Sequence, residues 1–111
     1  MPGKPAQVTT AITLPTAMID SFCQRWKIAE LAVFGSVLRE DFGPESDVDV
    51  LVTFEAGAAW SLLDLVGMEY DLERRIGRRA DIVERTAVEA SPNPIRRDDI
   101  LSGARTLYEA R

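Results

Sequence analysis

Two short apolar segments, joined by a Gly-Ser dipeptide and a D-x-D triplet, constrain this sequence more than any other feature. The first segment spans residues 28–34 and stops at Gly35 and Ser36. Ten residues later, a D-x-D triplet opens the second segment, 47–54. Apolar runs of this length, bounded by Gly and Pro, predict buried β-strands. We therefore expect two strands joined by a tight turn and a short connector.

The triplet predicts a metal site. Asp47 and Asp49 are two residues apart in an extended segment, so their side chains leave the same face about 6–7 Å apart. Two carboxylates this close repel each other unless a cation lies between them, and Mg2+ prefers oxygen ligands. Asp81, in a third predicted strand at 80–84, is the best candidate for the third carboxylate of a two-metal site.

The Gly-Ser dipeptide predicts a phosphate-binding turn. Gly35 lets the backbone approach a phosphate without a Cβ in the way, and the Ser36 hydroxyl can bind phosphate oxygens with the amides of a following helix. Arg39, about one helical turn beyond Ser36, adds positive charge for a triphosphate. Together with the acids, these residues suit in-line nucleotidyl transfer assisted by two metal ions.

Each of these signals also has a simpler explanation. An isolated D-x-D triplet is common on solvated strands, and Gly-Ser after a strand is usually only a turn. Asp81 and Arg39 would then be ordinary surface residues. The arginine cluster at 74–79 is explained either as a solvated helix end that complements the helix dipole or as a docking patch for an acidic partner or nucleotide. The combined spacing of the two motifs favours the functional explanation.

The rest of the chain predicts an α/β domain. We expect a flexible N-terminal arm over residues 1–13, followed by a single domain over residues 14–111. Apolar residues at helical spacing predict helices near 16–26, at 61–76 and at 95–108, with Tyr108 in the core. The helix at 61–76 is predicted to carry a mostly apolar stripe of Leu62, Leu65, Val66, Glu69, Leu72 and Ile76. Thr16 and Ser61 are candidate N-caps, Gly77 is a candidate C-terminal stop, and a turn is expected near Thr86.

Composition excludes several other classes of function. The net charge of −5 argues against broad nucleic-acid binding, which needs a basic surface. The sequence has no histidine, and its single cysteine, Cys23, leaves no intramolecular disulfide or cysteine cluster. No apolar run is long enough to span a membrane, and the first residues lack the apolar core of a signal peptide. A cytoplasmic location is therefore the expected default.

The spacing of the two motifs resembles the G-S-x10-D-x-D signature of the polymerase-beta-like nucleotidyltransferase superfamily. The surrounding residues resemble the minimal nucleotidyltransferases (MNT proteins). This resemblance implies an α/β (α+β) fold with a short mixed β-sheet flanked by helices. It also implies Mg2+ ligands at Asp47, Asp49 and Asp81, and triphosphate contacts at Gly35 and Ser36.

The resemblance covers residues 16–108 and carries functional implications. MNT proteins are commonly paired with a small helical HEPN toxin, and family members act as antitoxins by transferring AMP from ATP to a toxin tyrosine. ATP, Mg2+ and a HEPN-type partner are therefore expected, in a homo- or hetero-oligomer. Two alternatives stay open: a non-catalytic antitoxin that neutralises its partner by complex formation, and one half of a split small-molecule transferase.

Two positions depart from the family pattern. Leu38 and Glu40 stand on either side of Arg39, where the family often has a small residue and a glycine. An acidic Glu40 beside the phosphate site would weaken triphosphate binding by charge repulsion. No metal ligand is removed, so a competent site is still expected.

Overall fold

A computed structural model describes residues 14–38 and 46–110, which build one β-sheet with helices on both faces. The predicted arm over residues 1–13 lies outside the described residues. The elements, in chain order, are α1 (Thr16–Arg25), β1 (Ile28–Phe34), a short 3-10 turn (Gly35–Leu38), β2 (Val48–Phe54), α2 (Leu62–Ile76), β3 (Ala80–Glu84), α3 (Arg85–Glu89), α4 (Pro94–Gly103) and β4 (Arg105–Glu109).

The sheet is mixed, as the resemblance implied. Its four strands lie in the order β3-β2-β1-β4. Strand β1 is antiparallel to both β2 and β4, whereas β2 and β3 are parallel. Parallel neighbours need a long crossover connection, and α2 provides it. Among the described residues, no helix is long and apolar enough to cross a bilayer.

The core divides into two layers because side chains alternate between the two faces of each strand. On one face, Leu31 and Val50 pack with α1 and α2. On the other, Ala32 and Leu51 pack with α3 and α4, for example against Ile100. The strands predicted at 28–34 and 80–84 match β1 and β3, and the second predicted strand begins one residue later than expected.

The ends of α2 follow from local sequence. Ser61 is the N-cap and forms a capping box with Asp64, and Gly77 ends the helix in the left-handed conformation at φ 72°. The prediction that Thr16 caps α1 was wrong. Thr16 is the first helical residue, and Pro15 occupies the cap position without a side-chain hydrogen bond.

The prediction of one helix over 95–108 was also wrong. Helix α4 ends at Gly103, and the following residues form β4 along the free edge of β1. Tyr108 packs against the core, as expected, but from a strand. Thr86, where a turn was expected, lies in the short helix α3. At the C-terminal end, backbone pairing with β1 outweighs helix propensity, because the propensity of each residue contributes little free energy.

The apolar face predicted for α2 was correct only in part. Met68 and Leu72 are buried and define the side of α2 that faces the sheet. Leu62 and Val66, which the sequence placed in the same stripe, are 78% and 57% exposed. Helix α2 therefore carries a second apolar side that faces away from the sheet.

Candidate active site

Two of the predicted acids lie side by side at the end of the sheet where β1 stops and β2 and β3 begin. The parallel register places Asp49 directly opposite Asp81. Neighbouring strands are about 4.8 Å apart, and residues in register point to the same face. Their carboxylates therefore emerge together on the face that α3 and α4 cover further along the strands.

The third predicted acid, Asp47, lies immediately before β2. Its Oδ1 is 3.8 Å from the Nε of Arg79, which lies just before β3, and the Arg79 carbonyl accepts a 2.9 Å hydrogen bond from the amide of Val48. The ion pair is well exposed, so it contributes little to stability. The backbone contact extends the pairing of β2 and β3 as far as the triplet.

Two arginines of the cluster at 74–79 form ion pairs with two different acids. Arg79 meets Asp47 at the edge of the sheet. Arg75 is instead a structural residue of α2, with its Nε 3.0 Å from Oδ1 of Asp71. Arg75 therefore has a structural role in α2, and the docking role of the cluster stays a prediction.

Gly35 lies directly against the acid pair. Its φ of 77° is in the left-handed region that favours glycine. A Cβ built on Gly35 would lie 2.6 Å from Oδ2 of Asp49, so the carboxylate or the turn would have to move. The φ and this close approach both favour glycine here, and the turn predicted to bind phosphate adjoins the predicted metal ligand.

The other predicted phosphate contacts fall on parts of the chain that the structure does not describe. The backbone of Ser36 belongs to the 3-10 turn, but its side chain lies outside the described part. Arg39 and its neighbour Glu40 also lie outside the described residues. Their proposed contacts with a triphosphate therefore stay predictions.

The donor set suits Mg2+, although it is not assembled as a closed cage. Asp49 and Asp81 offer hard carboxylate oxygens on one face, and Gly35 leaves no side chain over the Asp49 carboxylate. Oxygen donors combined with an open side are typical of Mg2+ sites that share the ion with substrate phosphates. Within residues 14–38 and 46–110, no three acidic or thiol groups converge closely enough to hold a metal ion on their own.

Two glutamates of α2 support this site, although the sequence did not mark them as functional. Strand β3 is an edge strand, so its outer amides have no partner strand. Glu73 accepts a hydrogen bond from the amide of Ala80, and Glu69 accepts one from Ile82, each at 2.9 Å. These amides flank Asp81 on both sides. The available signal was Glu69, which interrupts the apolar face predicted for α2.

Comparison with known proteins identifies the family of this chain. The model of the nucleotidyltransferase domain family matches residues 16–106. The protein adenylyltransferase MntA of Thermococcus cleftensis is 37% identical over 75 residues, which cover 68% of this chain and 74% of that protein. A solved structure of a candidate minimal nucleotidyltransferase is 34% identical, with a TM-score of 0.62, and the match covers 81% of this chain and 86% of that one.

Two further solved structures share the fold at lower identity. One is a toxin–antitoxin complex with AMP-PNP, at 15% identity and a TM-score of 0.66, covering 88% of this chain and 76% of that one. The other contains a tri-AMPylated HEPN toxin of Shewanella oneidensis with its MNT antitoxin, at 14% identity and a TM-score of 0.58, covering 86% and 70%. The predicted fold class and the predicted resemblance are both confirmed, and this chain belongs to the nucleotidyltransferase domain family, among the minimal nucleotidyltransferases.

Proposed function

We propose that this nucleotidyltransferase uses Mg2+ to transfer AMP from ATP to a tyrosine hydroxyl of a HEPN-type toxin, and so acts as an antitoxin in the cytoplasm, where ATP is available. The observation that carries the proposal is the register of β2 and β3, which brings Asp49 and Asp81 together beside Gly35. The triphosphate donor and the hydroxyl acceptor would both bind at this end of the sheet.

The acids divide the work according to their positions. Asp49 is partly buried against the turn, so it holds the side of the site that faces the triphosphate. Asp81 is exposed. We assign it to the acceptor side of the site, where its carboxylate would take the proton of the attacking hydroxyl. Asp47 completes the proposed ligand set of Mg2+. When bound, this ion would supply charge stabilisation for the α-phosphoryl group that passes to the tyrosine oxygen and for the pyrophosphate that leaves.

The adenylyl donor and the protein acceptor are supported by the relatives. A relative at 37% identity is named a protein adenylyltransferase, and one structural neighbour is a complex between an AMPylated HEPN toxin and its MNT antitoxin. The described residues of this chain form the nucleotidyltransferase fold.

A transfer assay with matched variants tests the proposal. The purified chain is incubated with α-labelled ATP, Mg2+ and a purified HEPN-type toxin, and label on the toxin is measured. Asp49→Asn and Asp81→Asn should each reduce transfer about 100-fold or more, because they remove charge at the reacting centre. Asp99→Asn, at an exposed position on α4, is the matched control and should stay within about twofold of wild type.

The same variants separate the proposal from the non-catalytic alternative. If Asp49→Asn and Asp81→Asn lose transfer and also fail to protect cells from the toxin, the antitoxin acts by AMP transfer. Full protection by variants that cannot transfer label would show neutralisation by complex formation. Wild-type levels of transfer in both variants would refute the assignment of the site.

A further inference from the structure

An arginine lies on the same face of the sheet as the three predicted acids. The register that pairs Asp49 with Asp81 continues towards the start of both strands. There the amide of Val48 donates to the carbonyl of Arg79 at 2.9 Å, and Arg79 stands beside Asp47. Residues two apart in an extended strand point to the same face. The four charged side chains therefore lie at the corners of a rectangle of about 5 Å by 7 Å.

Backbone contacts fix the position of Arg79, while its side chain stays in solvent. The Arg79 carbonyl accepts from Val48, and the next amide in the chain, that of Ala80, donates to Glu73 at 2.9 Å. The Arg79 side chain is 84% exposed, and its Nε lies 3.8 Å from Oδ1 of Asp47. This separation is too long for a hydrogen bond, so the contact is electrostatic and adds little to stability. Its main effect is on the electrostatic potential at Asp47.

The charge of Arg79 acts in opposite directions on a bare divalent cation and on a metal–nucleotide complex. Like charges repel, so a guanidinium beside Asp47 disfavours a bare Mg2+ ion on that carboxylate. A complex of Mg2+ with ATP is net negative, so the same guanidinium attracts it towards the site. Three acids with no cation beside them would do the reverse, because they would bind the bare ion tightly and repel the triphosphate.

We propose that Arg79 is a specificity-determining residue, which makes the site select the complex of Mg2+ with ATP over the bare ion. The proposal rests on the proposed function, because it takes Asp47 as one of the acids that receive the metal. It goes beyond that function by giving a role to a residue outside the two motifs. Arg79 acts through the potential at Asp47 and takes no part in making or breaking bonds.

Coulomb's law gives the size of the effect. Mg2+ bonds carboxylate oxygens at about 2.1 Å, so an ion held by Oδ1 of Asp47 would lie within about 6 Å of the Arg79 Nε. At that separation in water, one unit charge changes the binding constant of a divalent ion about tenfold, and physiological salt reduces this to about threefold. Loss of the Arg79 charge should therefore strengthen binding of the bare ion and weaken binding of the Mg2+–ATP complex, each by about three- to tenfold.

Two titrations of the purified chain, both without a toxin, test the proposal. The first uses Mn2+ alone, which prefers the same oxygen ligands as Mg2+ and is counted in its free form by electron paramagnetic resonance. The second uses the preformed equimolar complex of Mg2+ with ATP, followed by calorimetry. Arg79→Gln should bind Mn2+ about three- to tenfold more tightly and the Mg2+–ATP complex about three- to tenfold more weakly. Both shifts should shrink when the ionic strength is raised to about 1 M, because salt screens exposed charges.

Two variants are matched controls. Arg79→Lys keeps the positive charge at the same position and should stay within about twofold of wild type in both titrations. Arg96→Gln removes the same charge from an exposed position in the first turn of α4, and it should also stay within about twofold. Circular dichroism spectra confirm that the variants are folded. A loss of structure would weaken both ligands, whereas the proposal requires shifts of opposite sign.

The proposal is overturned if Arg79→Gln changes neither affinity, or if it changes both in the same direction. Asp49→Asn and Asp81→Asn distinguish this outcome from a failure of the proposed function. If these two variants bind Mn2+ as tightly as wild type, the metal site itself is wrong, and the role of Arg79 is refuted with it. If they lose Mn2+ binding while Arg79→Gln binds both ligands like wild type, only the role of Arg79 is refuted.

Discussion

Alanine at position 35 should destabilise the fold and displace a predicted metal ligand at the same time. Gly35 has a φ of 77°, and a left-handed conformation costs a non-glycine residue about 1–2 kcal/mol. The added Cβ would lie 2.6 Å from Oδ2 of Asp49, so the carboxylate or the turn must move. Overpacking of this kind costs about 1–3 kcal/mol. We expect Gly35→Ala to lower the free energy of unfolding by about 2–5 kcal/mol in total.

Two comparisons separate the backbone cost from the clash. Gly77→Ala is the matched control, because Gly77 has a φ of 72° and nothing lies within 4 Å of its Cβ position. It should lose only the backbone contribution of about 1–2 kcal/mol. Combining Gly35→Ala with Asp49→Ala removes the clashing carboxylate, so the two changes should show a favourable coupling of about 1–2 kcal/mol in a double-mutant cycle.

Urea denaturation of the four proteins in the cycle and of the Gly77→Ala control measures these differences, and the transfer assay reports on the site. Gly35→Ala should also reduce transfer strongly, because the Asp49 carboxylate can no longer occupy its position beside the turn. Equal losses of stability in Gly35→Ala and Gly77→Ala, with no coupling to Asp49→Ala, would refute the close approach of the turn and the acid.

Two further predictions concern contacts of α2. Glu73→Ala removes a hydrogen bond beside Asp81, so it should lower the free energy of unfolding by about 1 kcal/mol and also reduce transfer. Glu73→Gln keeps an acceptor oxygen and should restore both quantities. If Glu73→Gln fails to restore them, the proposed role of Glu73 in positioning Asp81 is contradicted. Burial raises the pKa of Asp71, but hydrogen bonds from Trp26 and Arg75 outweigh it and hold the pKa below its ordinary value. The stabilising effect of the Asp71 carboxylate is therefore complete above about pH 4 and is lost as pH falls through the lowered pKa. Asp71→Asn should make the melting temperature fall less steeply between about pH 4 and lower pH. A melting temperature with the same pH dependence as wild type would contradict this.

Much of the site could be predicted because residues close together in the sequence form it. The apolar segments at 28–34 and 80–84 are bounded by clear breaks, and both are strands with the predicted ends. Gly35 ends the first strand as predicted, and its left-handed φ of 77° is a conformation that glycine adopts readily. A neighbouring strand was expected to bring Asp81 near the D-x-D triplet, and the parallel register does so.

The C-terminal segment and the outer side of α2 could not be predicted in the same way. Residues 95–108 have a helical spacing of apolar positions, but the second half of this segment pairs with β1, whose edge exists only once the sheet has formed. Likewise, apolar residues surround much of α2, so periodicity alone could not tell which side packs on the sheet. In the structure, Met68 is buried against the sheet, whereas Val66 lies at the surface.

The sequence by itself determined the chemistry of the site: two acids in a triplet, a glycine turn ten residues earlier, and the absence of histidine. These features depend only on residue type and on short spacings in the sequence, and local backbone geometry converts such spacings directly into side-chain positions. Only the tertiary structure decided that Asp49 lies opposite Asp81, that α2 glutamates hold the edge of β3, and that an apolar side of α2 faces outward. Those outcomes depend on strand register and helix orientation, which are set by packing between segments distant in the chain.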